Sequence, residues 1–215
     1  MSIHSQNHYR NAAEGRKRIR FMIQVTMLCA LQFVMMMIPF LGFIPLGFVN
    51  ATTLHLPVIV AGSLLGVKGG AIVGLCFGLI SMARSTLNPT LLSFLFSPFV
   101  PGGNVYSLII AIVPRILLGV FAALIYAYLK DKNLKFAAAA VTGLLATLLH
   151  TVMVLGGIYL FFGEAYASAQ GISLASVIPF LLGIVATNGI VEAVLALVVN
   201  TVLVRALAPI VHKEA

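Results

Sequence analysis

Two charged side chains stand where charge is expensive. Arg115 lies inside IVPRILLG (112–119) and Glu192 inside NGIVEAVLALVVN (188–200), both otherwise apolar runs. A guanidinium or carboxylate in hydrocarbon costs about 2.5–3.5 kcal/mol on insertion scales, so a partner or a ligand must answer it. Two chemistries are open. Arg115 and Glu192 can pair as a buried, mutually neutralising ion pair, or Arg115 can hold an anionic ligand by a bidentate contact. An ion pair that also walls a cavity combines the two. Asn188 precedes Glu192 by one helical turn on the same face. His150 has Thr147 and Thr151 close by, Tyr159 lies further toward one end of the same run, and His55 is a further polar group at depth. Arg84 and Asn88 flank the next connection and, with Arg115, make one side of a cavity positive, suited to a carboxylate. The substrate-binding candidates are therefore Arg84, Arg115, His150, Tyr159 and Asn188, with Glu192 a structural or proton site. Bland roles stand beside these: a buried histidine can simply satisfy a neighbouring carbonyl, and a tyrosine at that depth can anchor at the interface.

Catalytic patterns are missing. There is no GxSxG, no HExxH and no acidic metal cluster, so no metal site is expected. Gly66-Val67-Lys68-Gly69 lacks the Gly-Lys-Ser/Thr core of a P-loop. The expectation is a chain without catalytic activity and without its own cofactor; any ATP would be used by another subunit. Cys29 and Cys76 both lie in apolar runs without CxxC spacing and read as packing residues.

The elements that must position these groups are membrane helices. Of 215 residues 61% are hydrophobic and 8% charged, against about 25% charged in soluble domains. The apolar runs are continuous, unlike the short alternating segments of a β-barrel. Six segments emerge, about 21–40, 54–66, 69–83, 106–129, 136–162 and 174–208. The second and third are short and joined by Val67-Lys68, which predicts a tight helical hairpin; the last can begin as an interfacial helix before Pro179. The expected fold is an all-α integral membrane protein of six transmembrane helices. Residues 1–20 form a cytoplasmic segment, 21–208 the membrane domain and 209–215 a cytoplasmic tail. The basic stretch Arg16-Lys17-Arg18-Ile19-Arg20 resembles the start of a signal peptide, but a long apolar run and further spans follow, so it reads as the flank of the first helix.

Charge sets the direction. With both termini in the cytoplasm, the inner side holds Arg10, Arg16, Lys17, Arg18, Arg20, Lys68, Lys130, Lys132, Lys135, Arg205 and Lys213, eleven of the thirteen basic residues. The net charge of +8 is thus a topology signal, which removes nucleic acid as a partner. The outer connections are about 41–53, 84–105 and 163–173. The second, RSTLNPTLLSFLFSPFVPGGNV, is long and carries Pro89, Pro98 and Pro101 with Phe94, Phe96 and Phe99. It reads as a lid over an external cavity or as a re-entrant segment that only packs. Gly70, Gly74 and Gly78 form a doubled GxxxG, fit for internal helix packing or for a partner interface. With helices four and six running inward, Arg115 lies about 13 Å down, Asn188 about 14 Å and Glu192 about 20 Å.

The stretches TLHLPVIVAGSLLGVKGGAIVGLCFGLIS (53–81), SFLFSPF (93–99), VPRILLGVFAALIY (113–126), VLGGIYLFF (154–162) and NGIVEAVLALVVNTVLV (188–204) resemble, in this order, the substrate-binding S component of energy-coupling factor (ECF) vitamin transporters. The resemblance covers about residues 20–208. It implies a cell-membrane, multi-pass protein with a vitamin site near the extracellular face, gated by the outer loops. It implies partners too: a transmembrane coupling subunit and two ATPase subunits, with the binding protein toppling in the membrane to deliver its ligand. The docking spacing matches at Thr26 and Ala30, followed by Val34. SFLFSPF and VLGGIYLFF look most like pantothenate-type members, with folate, cobalamin and riboflavin as alternatives. Two other readings stand beside this: a solitary proton-coupled carrier using Glu192, and a membrane scaffold that binds no vitamin.

Overall fold

The computed structural model describes residues 3–46, 49–132 and 135–212. Lys213, assigned above to the inner side, lies outside the described residues. Helix α1 spans Ile3–Met37 and is followed by a four-residue helix α2, Pro39–Gly42. Strands β1 (Phe43–Leu46) and β2 (Val49–Thr52) pair antiparallel, with Phe43 opposite Thr52. Then come α3 (Leu56–Leu87), a 3₁₀ turn (Ser93–Leu95), α4 (Val105–Asp131) and α5 (Lys135–Gln170). Helix α6 (Leu174–Ile184) passes through a π turn (Val185–Gly189) into α7 (Ile190–His212). Apart from the hairpin, the described elements are helical. Five helical stretches among the described residues are long and apolar enough to cross a membrane: Glu14–Met37, α3, α4, Ala137–Gln170 and Leu174–Val211.

One of these five is broken. Gly66 has φ 73°, ψ −168° inside α3, a conformation glycine reaches without a Cβ penalty. The chain turns back there. A Cβ at Gly62 and a Cβ at Gly70 would both strike the carbonyl oxygen of Gly119. Eight residues of straight helix would separate those two positions by about 12 Å. The break comes one residue before the predicted Val67-Lys68 turn. The short arm before it is buried on every side, from Leu56 to Ser63, which suits a segment with no polar face.

The arm after the break carries the glycine stripe, and its use is internal. Gly70, Gly74 and Gly78 meet the backbone of Gly119, Arg115 and Ala111 in antiparallel register. Any side chain larger than hydrogen would push the two backbones apart, which is how small residues bind helices in lipid.

Several boundaries differ from the sequence reading. Helix α1 begins within the expected 1–20 segment. Helix α3 continues to Leu87, so Arg84 sits on its last turn. The 41–53 connection holds the hairpin. Most of 163–173 is helical, because α5 bends at Phe162 (φ −134°, ψ 15°) and runs on to Gln170. Pro179 lies within α6.

The long outer connection is ordered by hydroxyls. Asn104 caps α4 by accepting from the Tyr106 amide at 2.8 Å, while its own amide donates to Ser107 Oγ at 3.0 Å. Ser107 Oγ in turn donates to the Phe94 carbonyl at 2.6 Å, tying the 3₁₀ turn to the helix start. Ser97 shares a 2.7 Å hydrogen bond with Thr86 on α3. Leu95 is buried beneath this framework, whereas Phe99 is 73% exposed.

Two apolar clusters result. The first gathers Val25, Ile59, Val73, Phe77, Leu118 and Ala196 around the short arm of α3. The second gathers Leu95, Ile110, Val154, Phe162, Val177 and Leu181 at the ends of α4, α5 and α6.

Candidate functional site

Between these clusters lies a cavity of about 330 Å³. Phe77 and Leu54 of the first cluster wall it from one side, and Val154 of the second from the other. Arg84 enters from α3, Arg115 from α4, His150 and Thr151 from α5. Asn188 enters from the π turn, Glu192 from α7, Thr52 from the end of the hairpin, and Ser93 and Phe96 from the outer connection. Four of the five binding candidates and Glu192 are thus brought together. The outer connection contributes wall as well as packing.

Arg115 is held by a local device. Pro114 has no amide hydrogen, so the Ile110 carbonyl, four residues earlier, loses its helical donor. The Arg115 guanidinium supplies a replacement: Nη1 donates to that carbonyl at 2.5 Å. The ring centroids of Phe77 and Phe96 lie 5.4 and 5.1 Å from Cζ, within the range of cation–π attraction. The residue is only 6% exposed, and its Nε has no partner. Gly74 pressed against the Arg115 backbone fixes the base of the side chain.

Glu192 does not answer this charge. Its Oε1 accepts from both the amide and the hydroxyl of Thr52, each at 2.8 Å. No ion pair joins Arg115 and Glu192 among the described residues, so the ion-pair answer gives way to a carbonyl and two rings. Neither neutralises a positive charge. His150 is half-buried, with Nε2 unpartnered and its ring 6.2 Å from that of Phe77. Among the described residues no three His, Cys, Asp or Glu side chains gather as a metal would require.

Tyr159 is not brought into this cavity. It is 39% exposed and borders two separate surface depressions, one between α5 and α6 and one at the start of α4. Nine residues separate it from His150, two and a half helical turns, which puts it on the opposite face. Phe77, Phe96, Thr52 and Thr151 line the site without having been candidates. The π turn also carries no obvious sequence signal; such turns recur at functional sites. Elsewhere, Thr26, Ala30 and Val34 are exposed along one face of α1, whereas Val25, Gln32 and Met35 are buried.

The model of the family described as "ECF transporter, substrate-specific component" matches residues 20–204. The chain belongs to this family, and is accordingly a multi-pass membrane protein and a non-enzymatic transport subunit that associates with ECF module components. It is 41% identical over 165 residues to the pantothenic acid transporter PanT of Lactococcus lactis subsp. cremoris, covering 74% of this chain and 78% of that one. It is 28% identical over 208 residues to the pantothenate transporter PanT of Leuconostoc mesenteroides subsp. mesenteroides, covering 93% of this chain and 97% of that one.

Proposed function

We propose that this protein captures pantothenate in the cavity between α3, α4, α5 and α7 and hands it inward as the substrate-specific subunit of an ECF importer. The observation that carries the reading is the Arg115 guanidinium: buried, facing a cavity, anchored by a carbonyl and two rings, with its charge uncompensated by any described carboxylate. A ligand bringing one carboxylate supplies what the site lacks. The two relatives named as pantothenate transporters carry that name for the same kind of ligand. Arg84 adds positive charge to the cavity, and His150 and Asn188 offer partners for amide and hydroxyl groups. Glu192 serves as an acceptor in the same wall. Tyr159 has no part in the proposed site.

The proposed topology has six spans with both termini in the cytoplasm. The reversal at Gly66 supports it by dividing α3 into two short antiparallel arms, and the distribution of Lys and Arg supports the direction. The proposed partners are a transmembrane coupling subunit, docking on the Thr26–Ala30–Val34 face of α1, and two ATPase subunits that use the ATP. The chain itself carries no cofactor in this reading.

Calorimetric titration of the detergent-purified chain with pantothenate, folate, riboflavin and cobalamin tests it. Saturable binding of pantothenate alone is expected. Arg115→Gln should weaken it about 100-fold, the loss of a charge-assisted contact of about 3 kcal/mol. In thermal unfolding, Arg115→Gln and Glu192→Gln should combine additively to within about 0.5 kcal/mol, because the two are not partners. Binding of another vitamin, or of none, sinks the reading.

A further inference from the structure

Glu192 is the one acid among the described residues that line the cavity. Thr52 donates twice to the same oxygen, Oε1, an arrangement that fits an ionised carboxylate acting only as acceptor. Those two bonds hold the carboxylate against the end of the hairpin and fix its orientation. The other oxygen, Oε2, takes no donor from the described residues. No basic residue among them pairs with Glu192 either, although Arg115 lines the same cavity. The site therefore has an acceptor pole set apart from its guanidinium.

We infer that Glu192 determines specificity at the hydroxyl end of the ligand: Oε2 accepts from a ligand hydroxyl and excludes any second anionic group there, with Thr52 as its positioning residue. This rests on the pantothenate reading and deepens it. A carboxylate rewards a neutral donor and repels a like charge, so exclusion is built in alongside attraction. Pantothenate has its carboxylate at one end and hydroxyls at the other, so it matches both poles. Its ester with phosphate at the terminal hydroxyl keeps the first match and puts a dianion at the second. A reaction that phosphorylated the delivered ligand would thus yield a product this cavity no longer accepts.

The test is titration of the full chain in detergent with pantothenate and with that phosphate ester. The wild type should bind the ester at least about 100-fold more weakly, a like-charge penalty of the expected size. Glu192→Gln keeps the shape and removes the charge, so bulk alone cannot move the result. The gap should narrow to about ten-fold or less. Thr52→Val, which loses the hydroxyl donor and keeps the amide, should narrow it partly. A Glu192→Gln protein that binds pantothenate with the wild-type gap overturns the inference, as does a wild type that takes both compounds equally. If Glu192→Gln does not fold, an unchanged gap in Thr52→Val overturns it. A wild type that binds neither compound overturns the pantothenate reading beneath it as well.

Discussion

The two walls that carry the charges are built by opposite means. The α3–α4 wall is a backbone-to-backbone seam. Gly70, Gly74 and Gly78 admit Gly119, Arg115 and Ala111 so closely that no Cβ fits between them. The wall formed by α6, the π turn and α7 is open by comparison. A Cβ at Gly183 would meet nothing within 4 Å, and a Cβ at Gly189 would find only ordinary contact with Thr151 at 3.4 Å. Asn188 and Glu192 ride on the loose wall, Arg115 on the tight one. The difference teaches that the fixed charge is the guanidinium, positioned by packing. The carboxylate is positioned by hydrogen bonds from a hairpin.

Breaking the tight wall should have the largest effect. Gly74→Leu would force α3 off α4 beside Arg115, costing about 1–3 kcal/mol or more of stability by overpacking. Thermal unfolding should record the loss, and pantothenate binding should fall with it because the base of Arg115 moves. Retention of both would mean the seam can breathe. Pro114→Ala sharpens the comparison within that wall. It restores an amide to the Ile110 carbonyl, so the helix should be as stable as before or more so, while Arg115 loses sole claim to its anchor. A drop in affinity of about five- to ten-fold with an unchanged or raised melting temperature is expected, the worth of about one hydrogen bond. The smallest effect belongs to the loose wall. Gly183→Ala should change stability by no more than the helix-propensity gain of about 1 kcal/mol and leave affinity within about two-fold. A marked loss in either would show that the α6 wall is packed in the working protein.

Much of this was legible from residue type because hydrocarbon makes charge conspicuous. Arg84, Arg115, His150, Asn188 and Glu192 stood out in apolar runs, and all five line one cavity. The reversal between the second and third segments was legible from their length and glycines, displaced by one residue. Phe77 and Phe96 were hidden for the converse reason: in a chain this apolar an aromatic has no contrast. A signal for the Arg115 anchor was present, since Pro114 announces a freed carbonyl four residues back. Tyr159 was misjudged by depth without phase; counting turns from His150 turns it away from the cavity. The hairpin escaped notice because FIPLGFVNAT lacks a clear polar–apolar alternation, and its Thr52 supplies the hydrogen bonds that decide where Glu192 points.

The π turn at Val185–Gly189 has a consequence for how this sequence can change. A π turn closes over one residue more than an α turn. Deleting one of its five residues would make the helix more regular and leave every side chain on either side intact. It would also rotate α7 against α6 by about 100°, swinging Glu192 off the hairpin that holds it. Single-residue gaps within 185–189 are therefore the length changes this binding protein should tolerate least, although the local backbone would welcome them.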